Sequence, residues 1–253
     1  MIARLFSSSR WKATLSDFLS EHLIHRDEDF MVIHKPAGLL TVPGKTPDLQ
    51  DCLINRLLKL EPKTLLIHRL DRDTSGILVF GLSKFGQSHI SRQFQDRQTS
   101  KIYQALVAGH LEGEGIVDIP VIYDPSRPPL HIVDASHHKP ALTEWQVIEH
   151  LEIKGHPVTR VQLVPITGRS HQLRVHMQYL GHPILGDTLY ATPEQQQLYD
   201  RLCLHATELS FTHPKTAQQL TFNCPVPFYG KGPGGVGTGL KPRREFTYAP
   251  LPF

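Results

Sequence analysis

The chain has 253 residues, 40% of them hydrophobic, and a formal net charge of +3 at neutral pH. This length can bury the core of one large domain, or of one domain with a small lobe. The longest apolar runs, such as Ile77 to Phe80, are as long as strands and far shorter than the roughly 20 apolar residues of a membrane span. The composition therefore excludes a transmembrane role.

The three cysteines, Cys52, Cys203 and Cys224, are widely separated and odd in number. This pattern indicates neither a disulfide framework nor a paired-cysteine zinc site, and it is typical of a reducing compartment. We therefore expect a cytoplasmic protein. The basic, serine-rich first 12 residues also have a weak likeness to a mitochondrial transit peptide.

Three regions are predicted along the chain. Residues 1–25 form a helical extension, because apolar residues recur at helical spacing up to Leu23. Residues 26–228 form the main domain. Residues 229–253 form a flexible tail, since the run from Gly230 to Gly239 holds six glycines and a proline.

Strand patterns outnumber helix patterns in the main domain. Apolar or alternating runs predict strands at 30–33, 65–67, 77–80, 101–108, 141–148, 158–164, 207–212 and 219–223. Helices are predicted from a Thr46 cap through Leu60, from a Ser83 cap to about Gln95 with Phe85 facing inward, and from a Ser170 cap to Gly181. The segment 124–140 should be a long surface loop. Because helices and strands do not alternate regularly, we predict an α+β domain with a mixed, largely antiparallel central sheet flanked by helices.

One polar segment stands between two apolar strands. Its nine residues, His68 to Gly76, mix both charges with hydroxyls and a glycine, which a core strand does not need. A structural interpretation is open, in which Asp71 and Asp73 accept backbone hydrogen bonds and cap the loop. A functional interpretation is equally open, because loops placed by a rigid scaffold often carry sites.

Four motifs resemble those of the RluA-type pseudouridine synthases. They are HKPAGLLTVPG at 34–44, which lacks the family's asparagine, HRLDRDTSGIL at 68–78, KIY at 101–103 and TGRSHQLRVH at 167–176. The motifs occur in the family's order across roughly residues 27–228. The later stretch GHPILGD at 181–187 is similar to the compact members of the family, which have no further RNA-binding domain before the core.

This resemblance implies a pseudouridine synthase catalytic domain with a catalytic cleft and no cofactor. It makes Asp71 the catalytic carboxylate, acting as a nucleophile or as a base, and the sequence does not separate these routes. Arg69 would fill the space left by a flipped uridine, and Tyr103 would support the uracil ring. Arg174 would pair with Asp71 and keep it ionised. Without the resemblance, these side chains could be two solvated cations and a core tyrosine.

Structured RNA is the partner that the resemblance implies, as stem-loops of 23S ribosomal RNA, the anticodon arm of transfer RNA, or both. Candidate phosphate contacts are the basic residues Arg72, Arg92, Arg97, Lys101 and Arg169. Each of them could equally be solvated surface. We expect the protein to be a monomer.

Three other functions are weaker fits. A glycosidase would use Asp71 and Asp73 as its carboxylate pair, but residues two apart on an extended chain lie about 6 to 7 Å apart along the strand, and nothing else in the sequence supplies a carbohydrate groove of stacked tryptophans. Metal binding near the motifs by His68, His171 and His176 is not favoured, because the last two are five apart in the chain rather than four. A non-catalytic RNA-binding module would not explain a carboxylate among cations that face a polyanion.

Overall fold

The structure, a computed structural model, describes residues 18–228. Residues 18–22 are helical, and strand β1 (Leu23–Arg26) follows at once and pairs with β2 (Phe30–Lys35). The helical extension predicted for residues 1–25 therefore ends at His22, because Leu23 already belongs to the sheet. The start of that extension and the predicted tail at 229–253 lie outside the described residues.

Ten further strands and four α-helices complete the described chain. The strands are β3 (Leu65–Leu66), β4 (Ser75–Gly81), β5 (Ser100–Ala108), β6 (Glu114–Asp118), β7 (Val121–Tyr123), β8 (His131–Val133), β9 (Leu142–Ile153), β10 (His156–Pro165), β11 (Leu204–Thr212) and β12 (Gln219–Asn223). The helices are α1 (Leu53–Leu60), α2 (Lys84–Gln95), α3 (Gln172–Tyr179) and α4 (Pro193–Gln197). Among residues 18–228, no helix has the length and apolar character needed to cross a bilayer.

Ten strands form one sheet in the order β1-β2-β4-β11-β5-β10-β9-β6, with β3 paired to β4 and β12 paired to β11. Within the described chain, β4 and β11 are the one parallel pair in this sheet, and the other pairings are antiparallel. Strands β7 and β8 form a separate hairpin. The predicted α+β fold with a mixed, largely antiparallel sheet is confirmed.

The centre of the sheet is covered on both faces. Met31 and Ile33 of β2 pack with Leu53 and Leu57 of α1 in one cluster. The alternate residues of β2 and β4 pack with Ile90 of α2 in another cluster. A strand buried on both faces needs a continuous apolar run, which is why residues 77–80 show no polar alternation.

Two of the predicted helices need correction. The helix predicted from Thr46 to Leu60 is broken into a 3₁₀ turn (Pro47–Leu49) and α1, because Cys52 adopts an extended conformation and bridges to Leu40. Thr46 makes no capping hydrogen bond through its side chain. Ser83 does cap α2 by accepting from the backbone N–H of Gly86, but Phe85 is 51% exposed rather than inward.

The start of α3 and the predicted loop at 124–140 also differ from expectation. His171, with a left-handed φ of 56°, occupies the N-cap position of α3 in place of Ser170 and makes no capping bond through its side chain. The loop contains β8, whose three residues pair with β7. The short apolar stretch of β8 is too brief for sequence periodicity to reveal.

Candidate active site

A cleft of about 510 Å³ opens beside the parallel pair of strands. Its walls come from the loop before β4, the end of α2, the start of β5, the segment between β10 and α3, and the first turn of α3. This volume suits a small molecule or one nucleotide. Asp71, Tyr103, Arg69 and Arg174 all line it, so the structure brings together the four central residues predicted from the motifs.

The loop that carries Asp71 is held by the HKPAGLLTVPG segment. The buried Lys35 ammonium donates to the carbonyls of Pro36, Leu39 and Arg72 at 2.9, 2.7 and 2.8 Å. The Thr41 hydroxyl donates to the Leu70 carbonyl at 2.7 Å and accepts from the Leu70 N–H at 3.2 Å. The backbone is therefore fixed on both sides of Asp71, which explains what this first motif does.

The loop ends where β4 meets β11. Gly76 has a φ of +117°, and a Cβ there would overlap the backbone oxygen of Ala206 on the facing strand. Only glycine allows both this conformation and this close approach. The TSG end of the motif therefore serves the strand pairing that closes the loop.

Asp71 has two polar neighbours, Arg174 on α3 and His171 at the N-cap of that helix. Its Oδ2 lies 3.7 Å from Nη1 of Arg174 and 3.9 Å from Nε2 of His171, and its side chain is 24% exposed. These distances describe electrostatic pairing without direct hydrogen bonds. Asp71 thus faces the cleft, with the positive charge of Arg174 on one side of its carboxyl group.

Arg174 is held mainly by a second carboxylate, Asp187. Nε and Nη2 of Arg174 donate to the two oxygens of Asp187 at 2.7 and 2.6 Å, and both side chains are almost fully buried. The Arg174 guanidinium also lies 5.0 Å from the centre of the Tyr190 ring. Sequence reasoning predicted the contact with Asp71 and missed Asp187, although Asp187 closes the GHPILGD stretch that carried part of the resemblance.

From the sequence, His171 is a candidate only for metal binding. The structure places it in the cleft beside Asp71. The Tyr190 hydroxyl accepts from the His131 N–H at 2.9 Å and lies 2.6 Å from His171 Nδ1. We assign the hydroxyl proton to that bond, which leaves the imidazole proton on Nε2, facing Asp71. Burial lowers the pKa of His171 to about 4, with Asp71 opposing and Arg174 adding to the effect, so the ring is neutral at pH 7.

Tyr103 lines the cleft from β5. Burial, and then the charge of Asp71, raise the pKa of its phenol well above the ordinary value, so the hydroxyl stays protonated. A flat, neutral aromatic ring beside a carboxylate can support a planar base.

The predicted RNA contacts divide into two groups. Arg97, Lys101 and Arg169 line the cleft together with Arg69. Arg72 and Arg92 do not line the cleft. Arg72 pairs with Asp73 through two hydrogen bonds of 3.0 and 3.2 Å, and Arg92 is exposed on α2. Asp73 is therefore the partner of Arg72 rather than a second acid aimed at a substrate.

The histidines near the motifs have structural partners. His68 accepts from the Val79 N–H at 3.1 Å and stacks on Phe94. Both nitrogens of His176 are engaged, by Thr143 and by the Ile119 carbonyl. These histidines therefore do not form a metal site together with His171.

The comparisons with known proteins agree with this geometry. A family model described as RNA pseudouridylate synthase matches residues 29–179, more than half of the chain. The chain belongs to the RNA pseudouridylate synthase family. It is an isomerase of RNA, and neither the glycosidase nor the non-catalytic RNA-binding alternative is supported. The matched range contains Asp71, Tyr103 and Arg174, whereas Asp187 lies beyond it.

Relatives of this pseudouridine synthase cover most of its length. It is 46% identical over 207 residues to the dual-specificity RNA pseudouridine synthase RluA of Pasteurella multocida, which covers 81% of this chain and 93% of the relative. The protein of the same name from Escherichia coli K12 is 44% identical over the same shares. Among solved structures, human RNA pseudouridylate synthase domain containing 1 has a TM-score of 0.70 at 32% identity, covering 82% of this chain and 84% of that one.

Proposed function

We propose that this enzyme isomerises uridines in stem-loops of 23S ribosomal RNA and in the anticodon arm of transfer RNA, with Asp71 as the catalytic carboxylate. The observation that carries the proposal is the position of Asp71 near Arg174 and His171, in a cleft that Tyr103 also lines. The names of two relatives, both called dual-specificity RNA pseudouridine synthases, support the proposal of two RNA classes.

The reaction needs one acid and no outside reagent. The bond from the ribose to the base nitrogen breaks, the base turns, and a new bond forms from the same ribose carbon to carbon 5 of the ring. The proton on carbon 5 is lost and the freed ring nitrogen gains one, so atoms balance. Asp71 would act as the nucleophile or as the base, with the Arg174 guanidinium beside it.

The uridine must leave its stack to reach Asp71, which costs a few kcal/mol and least when the base is already unpaired. Arg69 is exposed at the cleft and has no hydrogen bond or ion pair with another residue in the described part of the chain. We propose that it fills the vacated space, while Tyr103 supports the flipped ring. Arg97, Lys101 and Arg169 would hold the phosphates.

Mapping pseudouridine by chemical labelling and primer extension tests this proposal. Transcripts of a transfer RNA and of 23S ribosomal RNA domains are incubated with the wild type, with Asp71→Asn and with the control Asp73→Asn. We expect modification of both RNA classes by the wild type and Asp73→Asn, and none by Asp71→Asn. Full activity of Asp71→Asn would refute its catalytic role, and modification of one class alone would refute dual specificity.

We further propose that the enzyme is a cytoplasmic monomer. Its three cysteines are free and buried, as suits a reducing compartment. Light scattering after size-exclusion chromatography tests the monomer, for which a single species near 28.6 kDa is expected.

A further inference from the structure

We propose that His34, His205 and Cys224 form a binding site for one divalent transition-metal ion, Zn²⁺ in the first instance, behind the strands that end the Asp71 loop. The ligand atoms of these three side chains all lie within 4.8 Å of one another. His205 is completely buried and Cys224 is 8% exposed. The site is separate from the cleft, whose lining contains none of the three.

Unpaired imidazole nitrogens point to a missing ligand at this place. In the described part of the chain, three buried side-chain polar atoms have no hydrogen-bond partner, namely Nδ1 of His22, Nε2 of His34 and Nε2 of His205. Two of them belong to the proposed ligands, and the His22 ring is 5.5 Å from the His34 ring. Because a buried polar atom without a partner is costly, each such atom needs an explanation.

The second nitrogen of His205 lies beside a hydroxyl that can accept its proton, as a metal ligand requires. Its Nδ1 is 2.6 Å from the Ser75 hydroxyl, which in turn accepts from Nη2 of Arg201 at 2.6 Å. When Nδ1–H donates to Ser75, the lone pair of Nε2 is free for a metal. Ligating histidines are usually oriented in this way by a bond from their other nitrogen.

The donor set selects the class of metal. One thiolate and two imidazoles favour Zn²⁺ and other borderline or soft ions over Mg²⁺ or Ca²⁺, which prefer oxygen. Ligand atoms around a tetrahedral zinc ion are roughly 3.3 to 3.5 Å apart, given Zn–S and Zn–N bonds of about 2.3 and 2.0 Å. The side chains would therefore move together by about 1 Å on binding. The Cys224 thiol would lose its proton to solvent as the Zn–S bond forms.

The ligands come from three parts of the sheet. His34 is on β2, His205 is on β11 beside Ser75 of β4, and Cys224 directly follows β12. Lys35, which holds the Asp71 loop, is the residue after His34. A bound ion would thus tie together the strands from which the loop is supported, and we expect it to raise the stability of the fold.

Metal content of the untagged, full-length protein tests the site. After incubation with excess Zn²⁺ and removal of free metal, we expect about one equivalent of zinc by mass spectrometry, and a melting temperature that rises with Zn²⁺. Cys224→Ser and His34→Asn should lose both effects. The matched control Cys52→Ser removes a buried cysteine outside the cluster and should retain both. Equal zinc content in all four proteins, or less than a tenth of an equivalent in the folded wild type, would overturn the proposal.

X-ray absorption of the zinc-loaded wild type keeps the test decisive if a variant fails to fold. One sulfur at about 2.3 Å and at least two nitrogens at about 2.0 Å are expected. A shell of oxygen and nitrogen without sulfur would rule the site out. In that case a buried water would be the partner of the unpaired imidazole nitrogens.

Discussion

Arg174 gives its two shortest hydrogen bonds to Asp187 and leaves only Nη1 for Asp71, 3.7 Å away. The cation beside the proposed catalytic acid is therefore fixed by another acid that never reaches the cleft surface. Such an arrangement orients the guanidinium before RNA arrives, so no ordering is needed during the reaction.

Asp187→Ala should therefore impair both folding and turnover. It leaves Arg174 buried without its main partner, and breaking a buried pair in this way costs about 3 to 5 kcal/mol. Urea unfolding measures the loss, and single-turnover kinetics at saturating RNA should show a slower chemical step.

Arg174→Ala should lower turnover far more than RNA binding, as filter binding would report. In the double variant Arg174→Ala/Asp187→Ala the stability loss should be smaller than the sum of the single losses, and additive losses would contradict the pairing.

Lys35→Met should slow the reaction without weakening RNA binding. The change removes the bond to the Arg72 carbonyl, beside Asp71, and a displacement of about 1 Å can cost about a hundredfold in rate. The control Lys84→Met removes an exposed lysine at the start of α2. Single-turnover rates and filter binding should separate the two effects, and equal rates for both variants would contradict a positioning role for Lys35.

Lys101 should make RNA affinity depend on pH. Burial, and then Arg97, lower the pKa of Lys101 to about 8 in the free protein, and an RNA phosphate would favour its charged form. Its contribution to binding is therefore complete below that value and is lost as the pH rises above it towards the higher pKa of the bound state. We expect the wild type to lose affinity several-fold between about pH 7 and 9, and Lys101→Arg to lose less, because arginine stays charged. Parallel titration curves for the two proteins would count against a phosphate contact.

His171 should make the fold sensitive to acid. Its pKa is lowered from 6.5 to about 4, so the unfolded chain takes up a proton that the folded protein refuses between these values. The stabilisation is complete above about pH 6.5 and is lost as the pH falls towards 4, by about 1.4 kcal/mol per pH unit. Urea unfolding across this range should show a shallower slope for His171→Gln than for the wild type. His138→Gln removes an exposed histidine and should leave the slope unchanged.

Local patterns were sufficient for most of the fold. The β12 prediction at 219–223 matches its observed bounds, and the predicted β11 and β5 begin three residues and one residue too late. The hairpin of β7 and β8 was missed because strands of three residues have no measurable period. Helix starts were misplaced where the backbone, through Cys52 and the left-handed His171, sets the boundary instead of a capping side chain.

The site was predictable only as far as its motifs extend. Asp71, Tyr103, Arg69 and Arg174 meet in one cleft as the resemblance implied. The partnerships that tune them are long-range, such as that of Asp187 with Arg174, and no local spacing indicates them. The cluster of His34, His205 and Cys224 could not be predicted for the same reason, because only the order of the strands in the sheet brings these residues together.

Arg69→Ala should discriminate between paired and unpaired target uridines. The exposed Arg69 side chain lies at the cleft without a protein partner in the described chain, so its removal should leave the fold intact. If it fills the space left by the flipped base, the variant should lose most activity on a uridine that must first leave a base pair. On a single-stranded or mismatched target the unstacking cost is smaller, and the loss should shrink.

The measurement is the single-turnover rate on two stem-loops that differ only in the base opposite the target. Arg72→Ala, which removes a neighbouring arginine outside the cleft, is the control. An Arg69→Ala loss of the same size on both RNAs would mean that Arg69 contributes charge to RNA binding and does not take part in flipping the base.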